Sequence, residues 1–185
     1  YSDAEAVKVL GNPTEGALLL WLKKAGVDYL NLRESSEVLE ELPFSTERKY
    51  MATIVKSSLF EGKTILYVKG APEIVSGLCK NIENNVSKTD IENQLVEYQN
   101  QAMRTLGFAY QMFDGKADVF KDGKVVADNL TFMGVVAISD PVRLDVPAAV
   151  AECMNAGINV KIVTGDTPGT AKEIGRQIGL WTAKD

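Results

Sequence analysis

The sequence predicts an α+β chain in which an antiparallel sheet is flanked by helices and followed by an incomplete parallel βαβ unit. Three observations predict this. Two β-rich stretches, 50–56 and 63–69, are separated by Glu61-Gly62, the pattern of an antiparallel hairpin. Ile91, Leu95, Tyr98, Ala102 and Met103 fall on one helical face. From Asp140-Pro141-Val142-Arg143 onward, helix, strand and helix follow with tight connections, the grammar of a parallel unit. A domain boundary is expected near 138–143, giving units 1–139 and 140–185.

A first helix is expected over 13–25. Asn12 is an N-cap, Pro13 suits the first helical position, Glu15 stands where a capping box places a carboxylate, and Gly26 ends it. Its apolar run, 17–22, predicts cover by other elements. A polar connector, 42–49, leads into the hairpin. Pro72 starts a helix to about Cys79. After an Asn-rich loop comes the helix containing Ile91, expected to end near Leu106-Gly107. Strands are expected at 108–113 and 130–138, with a Gly/Asp/Lys-rich connector between them. Beyond the boundary a helix runs from Asp145 and Pro147 to Gly157, a strand covers 158–163, and a helix from Thr167-Pro168 ends at Gly179.

Composition narrows the chemistry. Twenty Lys and Arg against 25 Asp and Glu leave a net charge of −5, which argues against nucleic-acid binding by broad electrostatic attraction. Absence of histidine removes Ser-His-Asp and Cys-His catalysis, His-ligated zinc and a His base. Cys79 and Cys153 lack CxxC spacing and are expected as reduced core thiols. The longest apolar run, 17–22, is far short of the ~20 residues of a spanning helix. Tyr1 in place of methionine predicts a piece of a longer protein.

Three segments could carry chemistry. Thr164-Gly165-Asp166 sits at the carboxyl end of an expected parallel strand, where such sheets bind ligands, or is simply a turn and N-cap. Lys69-Gly70-Ala71-Pro72-Glu73 sets a lysine before two small residues and a helix N-terminus, which suits a phosphate; otherwise Lys69 is a solvated strand end. Phe44 with Arg48 and Lys49 offers an aromatic face beside two cations, or a core aromatic beside a solvated face. Neither GxxxxGK[ST] nor GxGxxG occurs.

In order along the chain, these segments resemble the cytoplasmic part of P-type cation-pumping ATPases, most nearly the calcium-transporting branch. Gly11-Asn12-Pro13-Thr14-Glu15-Gly16-Ala17-Leu18 resembles the family's first nucleotide-domain motif. The stretch from Pro43-Phe44 to Tyr50-Met51 resembles its adenine-stacking segment, and Lys69-Gly70-Ala71-Pro72-Glu73 its Lys-Gly-Ala-Pro-Glu motif. Met103-Arg104-Thr105-Leu106-Gly107-Phe108-Ala109 resembles the arginine segment near the phosphates. Asp140-Pro141-Val142-Arg143 resembles the hinge, and Thr164-Gly165-Asp166 a phosphorylation-domain motif.

The resemblance implies that 1–139 is a nucleotide-binding domain and 140–185 part of a haloacid-dehalogenase-like phosphorylation domain. It implies Phe44 stacking on adenine, Glu15 near the amino edge, Lys69 with Gly70 lining the depth, and Lys49 and Arg104 reaching the phosphates. Asp140, Arg143, Thr164, Gly165 and Asp166 become accessories to phosphorylation. Where some relatives carry a second arginine, two residues after the stacking aromatic, this chain has Thr46. The implied ligand is ATP, with Mg2+ in the whole protein, a transported cation (by likeness Ca2+), no nucleic acid, and a place on the cytoplasmic face of a membrane reached only through further segments. The family's phosphorylated aspartate sits in Asp-Lys-Thr-Gly-Thr; neither that motif nor Gly-Asp-Gly-x-Asn-Asp occurs, so the chain is expected to bind ATP without turnover and to hold no metal alone. Two other readings stay open: a haloacid-dehalogenase-like phosphotransferase, for which no Asp-x-Asp-x-Thr is found, and an interaction module anchored by Trp21 and Trp181.

Overall fold

A computed structural model describes residues 11–139, 142–164 and 168–181. It is a mixed α+β fold built on a six-stranded, mainly antiparallel sheet. In chain order come α1 (Pro13–Lys24), α2 (Tyr29–Glu34), β1 (Glu37–Leu42), β2 (Tyr50–Lys56), β3 (Lys63–Gly70), α3 (Pro72–Leu78) and β4 (Asn81–Ile82). Then follow α4 (Lys88–Asn100), β5 (Arg104–Asp114), β6 (Phe120–Lys121), β7 (Lys124–Val125), β8 (Thr131–Ile138), α5 (Val146–Asn155) and α6 (Pro168–Gln177). The sheet order is β1-β2-β3-β5-β8-β4; only β4 and β8 run parallel. The β6–β7 hairpin is a separate ribbon.

Strand alternation sorts the sheet into two faces. Ala52, Ile54, Leu66, Val68, Ala109 and Phe132 point to one side, each at 1% exposure or less, and form the core with Val75 of α3. The other side carries Met51, Thr53, Tyr67, Lys69, Phe108 and Met133 and stays open. Two glycines set how closely the elements approach. A Cβ on Gly70 would meet the Lys49 carbonyl at 2.4 Å, and one on Gly107 would meet Pro72 Cα at 2.8 Å.

The structure corrects several expectations. Helix α1 forms with Asn12 Oδ1 accepting the Thr14 N–H, but only Gly16 is buried and Trp21 is 56% exposed. Helix α4 stops at Asn100, not near 106, because Ala102 turns to φ +58° and residues from Arg104 onward pair with β8, Arg104 opposite Ile138. Arg104 thus opens a strand. The segment 158–163 is not a strand. A strand exists only through a ladder partner, and no described strand runs alongside it. Ile158 and Val163 are 57% and 96% exposed. The helices on either side form as expected, since a helix closes its hydrogen bonds internally. Both cysteines are free thiols, partly and not fully buried. No helix among the described residues is long and apolar enough to cross a membrane.

Candidate functional site

Register brings the expected residues to one end of the sheet. Met51 pairs with Lys69, Lys69 with Phe108, and Tyr50 with Gly70. At this same end β1 leaves the sheet after Leu42, opposite Ala52, and the loop carrying Phe44 returns the chain to β2. The first turn of α1 rests on it through two side-chain contacts. Lys69 Nζ donates to Glu15 Oε1, and Arg104 Nη1 donates to Thr14 Oγ1 at 2.8 Å. Glu15 therefore turns to Lys69 as an ion pair. The Lys69 side chain is 23% exposed and that of Glu15 51%, so the pair is half in solvent and of modest strength.

Beside Lys69 the open sheet face forms a cleft of about 240 Å³ lined by Met51, Thr53, Tyr67, Phe108 and Met133. The lining is largely apolar, with one ammonium and two hydroxyls. Burial, with Tyr110 adding its charge, pushes the Tyr67 phenol above its ordinary value, so it stays neutral at physiological pH. Such a surface suits a flat ligand with an anionic end: aromatic and thioether walls pack its face, and the ammonium marks its polar edge.

Glu15, Lys69 and Arg104 are thus brought together, and Gly70 sits beside them under the Lys49 carbonyl. Phe44 is 58% exposed on its loop, and Lys49 is exposed with φ +59°. Neither lines the cleft; both stand at its end. Arg143 is elsewhere, in an exposed pair with Asp145 at 3.3 Å, and Thr164 is exposed beyond α5. Asp140, Gly165 and Asp166 lie outside the described residues. Among the described residues, no cluster of three or more His, Cys, Asp or Glu side chains is placed to hold a metal.

Sequence reasoning missed Thr14 and most of the cleft lining. Counting every second residue from Lys69 and Met51 reaches Tyr67 and Thr53, so the strand period held that signal. The pairings of β3 with β5 and of β5 with β8, which add Phe108 and Met133, are non-local and left no trace in any one strand alone.

Comparison with known proteins gives the family. The model of the P-type ATPase cytoplasmic domain N matches residues 1–145. The chain is 39% identical over 190 residues to calcium-transporting ATPase PAT1 of Dictyostelium discoideum, covering 98% of this chain and 16% of that protein. It is 34% identical to calcium-transporting ATPase 1 of Lactococcus lactis, covering 100% of this chain and 21% of the relative. It is 35% identical to the sodium/potassium-transporting ATPase subunit alpha of Drosophila melanogaster, covering 94% and 18%. The chain thus spans about a fifth of the length of these relatives or less. With this match over more than half its length, on a fold of the expected kind, the chain belongs to the P-type ATPase cytoplasmic domain N family.

Proposed function

We propose that this chain is the ATP-binding part of an ATP-driven cation pump, with residues 1–139 as the nucleotide-binding domain and 140–185 as part of the phosphorylation domain. The observation that carries the reading is the meeting of Glu15, Lys69 and Arg104 at the sheet end from which the Phe44 loop leaves. Phe44 stacks on adenine, Glu15 meets its amino edge, Lys69 and Gly70 line the depth, and Lys49 and Arg104 approach the phosphates. The calcium-transporting names of two relatives support calcium as the cation, while the sodium/potassium relative matches the same stretch. Ion choice belongs to groups inside the membrane, which this stretch does not contain. Mg2+ belongs to the whole protein's phosphorylation site, to which Asp140, Arg143, Thr164, Gly165 and Asp166 would contribute.

One base stack contributes about 1–3 kcal/mol, so ATP should bind in the high-micromolar to millimolar range and Phe44→Ala should weaken it by about tenfold or more. Calorimetric titration checks this; an unchanged constant for Phe44→Ala removes the stacking role. Because Asp-Lys-Thr-Gly-Thr is absent from this sequence, the chain alone should form no acyl-phosphate. Incubation with γ-labelled ATP and Mg2+, then acid quench, should leave no hydroxylamine-sensitive label; stoichiometric label would favour the phosphotransferase reading.

A further inference from the structure

We propose that Arg48 is a positioning residue that clasps the 43–49 loop shut and thereby presets Phe44, and that it is not a phosphate contact. The proposal rests on the reading of Phe44 as the adenine-stacking residue. In the sequence Arg48 and Lys49 look alike, two cations after an aromatic. The fold separates them: Lys49 is exposed, while the Arg48 side chain turns back into the molecule.

The loop, the Tyr50 ring and the β6–β7 turn surround the guanidinium. Nη2 donates to the Pro43 carbonyl at 2.5 Å, spanning the loop from its last residues to its first. The guanidinium carbon lies 5.9 Å from the centre of the Tyr50 ring, within cation–π range. On the far side is the β6–β7 turn, where a Cβ on Gly123 would stand 3.7 Å from Nη1. Nε is buried without a hydrogen-bond partner. With Nη2 committed to the Pro43 carbonyl and Nε enclosed, the guanidinium serves the loop that holds it.

Around the clasp the loop is already closed. Ser45 Oγ accepts the N–H groups of Glu47 and Arg48 at 3.2 and 3.4 Å, and the Lys49 N–H donates to the Ser45 carbonyl at 2.7 Å. Tyr50, 5% exposed, fixes the other wall, its hydroxyl accepting the Val125 N–H at 3.1 Å. Through Tyr50 and Gly123 the small β6–β7 hairpin thus backs the guanidinium that shapes the loop. A loop ordered before the ligand arrives loses less conformational entropy on binding.

The test uses Arg48→Lys, which keeps the charge and loses the planar fork, and Arg48→Met, which keeps the stem alone. Both should weaken adenosine and ATP by the same factor, about three- to tenfold, as expected for losing a preset side chain. In a Phe44→Ala background neither should weaken binding further. A loss confined to ATP, with Arg48→Lys near wild type, would mean a phosphate contact and overturn the proposal; so would unchanged affinities. Hydrogen exchange without ligand gives an independent arm. The Arg48 and Lys49 amides should exchange faster in both variants while β2 and β3 amides stay protected, and unchanged loop protection overturns the clasp. If the wild type binds neither adenosine nor ATP, the nucleotide reading falls and the presetting of Phe44 with it, while exchange still decides whether the clasp exists.

Discussion

The sheet and the stretch after it handle the same problem differently. In residues 37–138, strands that are individually weak bury Ile54, Leu66, Val68 and Phe132 to 1% exposure or less by pairing with one another. In residues 142–181 the two helices form, yet among the described residues only Val150, Gly175 and Ile178 are buried, and the apolar segment between the helices is exposed. α6 packs against α4, and so gains cover from outside its own stretch. The difference is one of hydrogen-bond supply. A helix closes its ladder within the segment, so local sequence suffices; a strand must borrow a neighbour's groups, so the segment 158–163, with no described strand beside it, stays irregular despite apolar content.

The sharpest way to break this comparison is to hollow out each region. Phe132→Ala, at a site with no exposure, should lower unfolding stability by about 3–5 kcal/mol, and Val150→Ala in α5 by only about 1–2 kcal/mol. Urea titration measures both; equal losses would mean that the later helices carry as much of the core as the sheet. A smaller effect probes the crowded sheet end. Gly70→Ala drives a Cβ to 2.4 Å from the Lys49 carbonyl and should cost about 1–3 kcal/mol. Gly77→Ala, facing open space on α3, should be neutral or more stable by up to about 1 kcal/mol. If the two substitutions behave alike, close backbone approach at Gly70 is not what holds the loop against β3.

The gentlest probe is pH. Burial pushes the Cys79 thiol from 9.0 up to about 11, with Sγ donating to the Val75 carbonyl at 3.1 Å. The folded pKa is the higher one, so its stabilisation is complete below 9.0. It drains away as pH rises toward and through about 11, because the unfolded chain gives up the proton first. The group is only half-buried, so the slope is small, and Cys79→Ala should flatten it. Urea midpoints at about pH 8 and about pH 10.5 decide: the same fall in wild type and variant would assign the alkaline loss to other groups.

Legibility followed the same physics as the comparison. Strand β2 was readable from end to end, and α1, β3 and α3 to within a residue or so, because caps, prolines and turn glycines are local devices. β1 was not readable. Its Glu-Val-Leu-Glu-Glu-Leu sequence has no alternation, almost all of it is exposed, and only antiparallel pairing with β2 makes it a strand. The two-residue strands β4, β6 and β7 are too short to carry a pattern. At the candidate site, motifs singled out Glu15, Lys69 and Arg104, which the fold brings together, whereas Arg48 was legible only as a charge.

The sequence by itself determined the α+β class, the hairpin, the main helix starts and the family, since these rest on spacing, capping and ordered motifs that adjacent residues express alone. Tertiary structure decided what those residues touch. It ended α4 early by drawing Arg104 into β5, set Glu15 against Lys69 and Thr14 against Arg104, and turned one of two neighbouring cations inward while leaving the other in solvent. Docking of α1 on the sheet joins residues as far apart as Glu15 and Lys69, and Thr14 and Arg104; contacts at that separation depend on register and burial, which no local stretch of chain encodes.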